Sequence, residues 1–111
     1  MKNIENKTES RLKAESYNEQ GIIYREAKKY KEAIEFYNKA LSKDPNFDKV
    51  YYNLGIVYYI LEEFDKSIEM YIKALELGFD KDDNLYEQLI KKIQNNDIQD
   101  KFRQALNRLN C

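Results

Sequence analysis

The feature that most constrains this chain is that it repeats itself. Shifted by 34 residues, Tyr17 falls on Tyr51, Gly21 on Gly55, Tyr24 on Tyr58 and Tyr30 on Phe64. The match continues with Ala33 on Ser67, Ile34 on Ile68, Tyr37 on Tyr71, Ala40 on Ala74 and Leu41 on Leu75. A fixed period in this range marks an array of supersecondary units. None can bury its apolar face alone, and stacked neighbours complete the core.

Within each unit the spacing predicts helix, short turn, helix. Tyr17, Gly21 and Tyr24 make one helical stripe, and Ala33, Tyr37, Ala40 and Leu41 make a second. The polar segment AKKY (27–30) separates them. Asp44-Pro45 ends one unit and opens the next, since Asp44 can accept from orphan amides and proline is tolerated in a first helical turn. Gly21 and Gly55 fall mid-helix, where glycine costs about 1 kcal/mol against alanine. Close approach of the facing helix, at Tyr37 and Tyr71, is the expected compensation.

The last thirty residues are less regular. DDNLYEQLIKKIQ reads as another first helix, with Leu85 and Leu89 on its core stripe. After NND (95–97), Ile98, Phe102, Ala105 and Leu106 repeat the pattern of Ser67, Tyr71, Ala74 and Leu75 at an offset of 31. Lys92 stands where the core tyrosine belongs. A shortened third repeat and a terminal capping pair both fit, and the shortened repeat is favoured. Residues 1–13 are polar, and either fray or extend the first helix backwards.

These residues resemble a tetratricopeptide repeat (TPR), whose pattern places a large aromatic, Leu-Gly, Tyr, Ala, an aromatic, Ala and Pro at fixed offsets. Repeat 1 spans 14–47, with Tyr17, Gly21, Tyr24, Ala33, Tyr37, Ala40 and Pro45 in register. Repeat 2 spans 48–81, with Tyr51, Leu54, Gly55, Tyr58, Ser67, Tyr71 and Ala74. Residues 82–110 are the degenerate repeat or cap. Tyr17 and Tyr51 replace the commoner Trp, Gln20 the usual Leu and Phe79 the usual Pro. The resemblance implies a single all-α domain, an open right-handed superhelix of about six helices in antiparallel pairs.

It also implies a site. First helices of successive repeats line a concave groove in this family. The positions carried over are Glu15, Asn18, Ile22 and Arg25 in repeat 1, then Lys49, Tyr52, Ile56 and Tyr59 in repeat 2. In repeat 3 they are Asp83, Tyr86, Ile90 and Ile93. Tyr51 and Tyr58 would then be core. Ile22, Tyr52, Ile56, Tyr59, Tyr86, Ile90 and Ile93 would form an apolar, aromatic strip for a partner peptide or helix. Asn18, Lys49 and Asn53 would add polar contacts. Two other uses of the strip stay open, packing between adjacent repeats and self-association into a homodimer.

The family's carboxylate clamp does not fit. Its positions fall on Asn18, Ile22, Asn53, Asp83 and Glu87, of which only Asn53 agrees, and the two acids would repel a carboxylate. The mixed, mildly acidic rim suits an apolar or weakly basic peptide instead, as an amphipathic helix or an extended segment.

Other chemistry lacks its residues. There is no histidine, and Cys111 is the only cysteine, so neither a zinc site, an internal disulfide nor the usual general base is available. No glycine-rich loop could cradle a phosphate. DKDDN (80–84) lacks the glycine and distal glutamate of a calcium loop. No enzyme activity or cofactor is expected. Acids and bases interleave to a net charge of −1, without the basic block that nucleic-acid binding needs. No apolar run is long enough for a signal core or a membrane span, so a cytoplasmic protein is expected.

Overall fold

A computed structural model describes residues 2–79, 91 and 96–110. Five helices lie in these residues: α1 (Lys2–Glu26), α2 (Tyr30–Lys43), α3 (Asp48–Ile60), α4 (Phe64–Glu76) and α5 (Asn96–Asn110). No strand occurs among the described residues. Helix α1 packs on α2, α3 on α4, α2 on α3, and α5 on α4. The fold is therefore all-α, built of consecutive packed helix pairs.

The two mid-helix glycines set the distance within each pair. A Cβ built on Gly21 would lie 2.5 Å from Cε1 of Tyr37, and one on Gly55 would lie 2.6 Å from Cε1 of Tyr71. Each tyrosine ring thus lies flush against the opposing helix at the one position without a side chain. Both rings are buried, at 0% and 1% exposure. The second pair adds a buried hydrogen bond, from the Ser67 hydroxyl to the Gly55 carbonyl at 2.7 Å. Ala33 occupies the equivalent place in the first pair and has no hydroxyl to donate.

Two apolar clusters result, and each crosses a helix-pair boundary. The first joins Ala14, Ala33, Tyr37 and Ala40 to Phe47, Val50, Leu54 and Val57. The second joins Ile68, Tyr71, Ile72 and Leu75 of α4 to Phe102 of α5, with Ile98 and Leu106 packed partly against it. Of the pattern read in 98–106, Ile98, Phe102 and Leu106 therefore dock on α4. Leu85, Leu89 and Lys92 lie outside the described residues, as does the distinction between a third repeat and a cap.

The tyrosines read as core are not fully buried. Tyr17, Tyr24, Tyr51 and Tyr58 are all half-buried. Tyr24 stacks on Phe36 at 5.1 Å, and Tyr17 lies tilted to the same ring at 6.2 Å. Tyr51 turns its hydroxyl onto the Pro45 carbonyl, 2.8 Å away, and so closes the turn between α2 and α3. A phenol usually keeps its polar tip near water or an acceptor; Tyr37, flush against Gly21, is the exception, fully buried with its hydroxyl unpartnered.

Pro45 sits in that turn and not in the first turn of α3, which begins at Asp48. Asp44 serves the turn itself. One carboxylate oxygen accepts from the Asn46 amide at 3.1 Å, and the other from Arg11 at 2.7 Å. The Arg11 guanidinium also lies 3.8 Å from the Phe47 ring centroid and bonds Glu15 at 3.2 Å. This contact ties the N-terminal extension of α1, helical from Lys2, to the turn between the first two units.

The turns inside each pair share one geometry. Lys28 and Glu62 have φ of 62° and 61°, the left-handed region. The amide after each bonds a carbonyl five residues back, Lys29 to Tyr24 and Glu63 to Tyr58, both at 2.9 Å or less. This is the Schellman termination that glycine normally closes, as Gly78 does after α4 at φ 96°. An L-residue there is strained by about 1–2 kcal/mol. We therefore expect Glu62→Gly to raise stability by about 1 kcal/mol in urea denaturation. A midpoint that stays put or falls would contradict this account of the turn.

Candidate interaction groove

Helices α1 and α3 carry the described part of the proposed groove. Asn18 and Asn53, on successive first helices, are both buried, at 6% and 7% exposure. The Asn53 side-chain amide donates to Asn18 Oδ1 at 2.8 Å. Asn53 Oδ1 in turn accepts a long bond, 3.4 Å, from Nη1 of Arg25. The three side chains form a polar chain that spans from the first unit to the second. A buried amide pair is stable because each group meets a partner, and it fixes where the two helices sit. Asn18 and Asn53 are thus used largely on each other, while Lys49 is exposed.

Ile22 is half-buried and leans on the first apolar cluster. Tyr52, Ile56 and Tyr59 lie one helical turn apart along α3 and lean on the second. The Tyr52 ring stacks on Phe79 at 4.4 Å and tilts against Tyr71 at 5.4 Å. Tyr59 meets Phe64 edge-on at 5.6 Å. Each ring is therefore packed on one side by its own fold, and both are half-buried. Tyr86, Ile90 and Ile93 lie outside the described residues.

Sequence reasoning singled out the strip but not Arg25 as more than a position on it. It also missed Arg11, whose partner Asp44 is 33 residues away and carries no local signal. A shallow hollow between α4 and α5, lined by Glu69, Ile72, Lys73, Glu76 and Lys101, is separate from this strip and carries charges of both signs.

Among the described residues no group of three acidic, cysteine or histidine side chains could hold a metal ion. None of the described helices is long and apolar enough to cross a membrane.

Comparison with protein families decides what these helix pairs are. A model described as TPR repeat matches residues 21–62, and one described as tetratricopeptide repeat matches residues 48–78. The chain belongs to the tetratricopeptide repeat family. The two matches overlap and run through both helix pairs, from Gly21 to Gly78. No curated protein matches the chain. TPR units are generally protein–protein interaction modules and typically non-catalytic scaffolds.

The buried amide pair gives a prediction for this TPR array. Asn53→Ala removes the donor to Asn18 and the acceptor of Arg25. An expected loss of about 1–3 kcal/mol follows from leaving a buried polar group unpaired. It is read by urea denaturation, and a change below about 0.5 kcal/mol, the usual range of a surface substitution, would count against the pair as the link between units.

Proposed function

We propose that this TPR chain is a non-catalytic interaction module that holds a peptide or helix of a partner protein against the first helices of its repeats. Tyr52, Ile56 and Tyr59, with Ile22 beside them, supply the apolar contact area. Lys49 supplies a polar contact at the edge. The supporting observation is the state of the strip on α3. Its rings are braced from behind by Phe79, Tyr71 and Phe64, yet remain only half-buried. A ring held in one orientation loses little rotamer freedom on binding, which favours tyrosine as an anchor. Each well-covered anchor contributes about 1.5–3 kcal/mol before binding costs, which suits a moderate, roughly micromolar affinity. The segment carrying Tyr86, Ile90 and Ile93 would continue the strip.

Self-association has one observation in its favour. Leu12 and Ile23 on α1 are 59% and 64% exposed, and Val57, the equivalent of Ile23, is completely buried against the first unit. The rest of that face argues the other way. The equivalents of Val50 and Leu54 are Ser16 and Gln20, which hydrogen-bond each other at 3.4 Å. Glu19 lies between Leu12 and Ile23 and is exposed. A second copy docked there would bury these polar and acidic groups along with Leu12 and Ile23, and their desolvation opposes the apolar gain.

The test uses peptides selected from a random phage-displayed library on the intact chain. The double variant Tyr52→Ala, Tyr59→Ala should weaken their capture at least tenfold, a change of about 1.4 kcal/mol or more. Its circular dichroism should stay helical, with a lower melting temperature because both rings also brace the fold. Unchanged capture by the double variant would sink the groove reading.

A further inference from the structure

The described groove is not uniform along its length, and Arg25 is where it changes. Arg25 sits two helical turns after Asn18 on the same stripe of α1. Thirty-four residues on, the equivalent position is Tyr59. One repeat thus presents a guanidinium where the next presents a phenol.

Arg25 is half-buried, and no carboxylate among the described residues pairs with it. Among the described residues the one hydrogen bond of its side chain is the 3.4 Å contact to Asn53 Oδ1. A guanidinium carries five N–H donors in a rigid fork, so most of its donor capacity is open. A half-withdrawn charge with a single long bond is poorly compensated, and a carboxylate is the partner its geometry fits best. By contrast Arg11, about four turns earlier on the same helix, is satisfied by Asp44, Glu15 and the Phe47 ring. Lys49, the other described cation on the groove positions, is exposed and has no carboxylate partner either. The apolar contacts begin beside them, at Ile22 and Tyr52.

From this juxtaposition, and resting on the groove reading above, we infer that the partner segment carries an aspartate or glutamate side chain that pairs with Arg25, followed by apolar residues that cover Tyr52, Ile56 and Tyr59. Asn53 holds the guanidinium in place from behind, which makes Arg25 a specificity-determining residue and not a general attractor of acidic chains. The charge difference between this position and Tyr59 sets the direction in which the segment lies. An apolar or weakly basic peptide, the expectation drawn from Asp83 and Glu87 in the sequence, lacks the group that Arg25 calls for.

Panning a random phage-displayed peptide library on the intact chain tests this. Selected peptides should share an acidic residue at one fixed spacing from a Leu, Ile or Phe. Arg25→Gln, which keeps a donor for Asn53, should leave the melting temperature within a few degrees and weaken those peptides about tenfold. Arg25→Lys should restore part of the loss, and binding should weaken with added salt. Peptides without a shared acid, or peptides that bind Arg25→Gln equally well, overturn the inference. If those peptides are still lost in the Tyr52→Ala, Tyr59→Ala variant, the groove reading survives alone. A library that yields no binder counts against both.

Discussion

Two contacts between a ring and a glycine hold this fold at its working dimensions. Where Tyr37 meets Gly21 and Tyr71 meets Gly55, the helices of each pair come closer than any side chain would allow. The separation is then set by the thickness of an aromatic ring lying on bare backbone. Everything built on the pairs inherits that spacing. The second helices present Tyr37 and Tyr71 inward, so the first helices are left with their other faces for neighbouring units and for the groove. A mid-helix glycine weakens an isolated helix by about 1 kcal/mol, and full burial of a large ring more than offsets it.

From the pairs, the array is assembled by apolar clusters that ignore the repeat boundary. Val50, Leu54 and Val57 of the second unit complete the core of the first, and Phe102 of α5 completes that of α4. Two polar ties add precision to this stacking. Arg11 fastens the extension of α1 to the turn at Asp44, and Asn18 with Asn53 fixes the first helices against each other. The face proposed as a groove is therefore a consequence of how units stack. Its tyrosines belong partly to the fold, and this explains why they are half-buried and not laid open on the surface.

Much of this was legible because it repeats. A period of 34 residues, small residues at Gly21 and Gly55, and large rings at Tyr37 and Tyr71 specify helix pairs and their contact without any knowledge of coordinates. The proposed groove positions come only from resemblance to the family. Helical spacing tells which residues share a face, but not which face remains uncovered once neighbours stack. What escaped the sequence falls into two kinds. Lys28 and Glu62 adopt the left-handed turn without glycine, so no residue marked them. Arg11, Arg25 and the asparagine pair depend on contacts between units, where sequence separation hides the partner. Tyr51 was misread for a related reason, since its position on the stripe said core while its hydroxyl had an acceptor available at Pro45.

The central claim is that ring thickness against glycine sets the pair geometry, and a double-mutant cycle at Gly55 and Tyr71 tests it most directly. In the otherwise native chain, Gly55→Ala places a methyl within 3 Å of three ring atoms of Tyr71 and should destabilise by about 1–3 kcal/mol despite alanine's better helix propensity. In a Tyr71→Leu background the ring is gone and the shorter side chain can turn away, so the same substitution should be neutral or stabilising by up to about 1 kcal/mol. That reversal, measured by urea denaturation, is the result expected here. An equal effect of Gly55→Ala in both backgrounds would mean that the ring and the glycine act independently, and that something else sets the spacing of the helices.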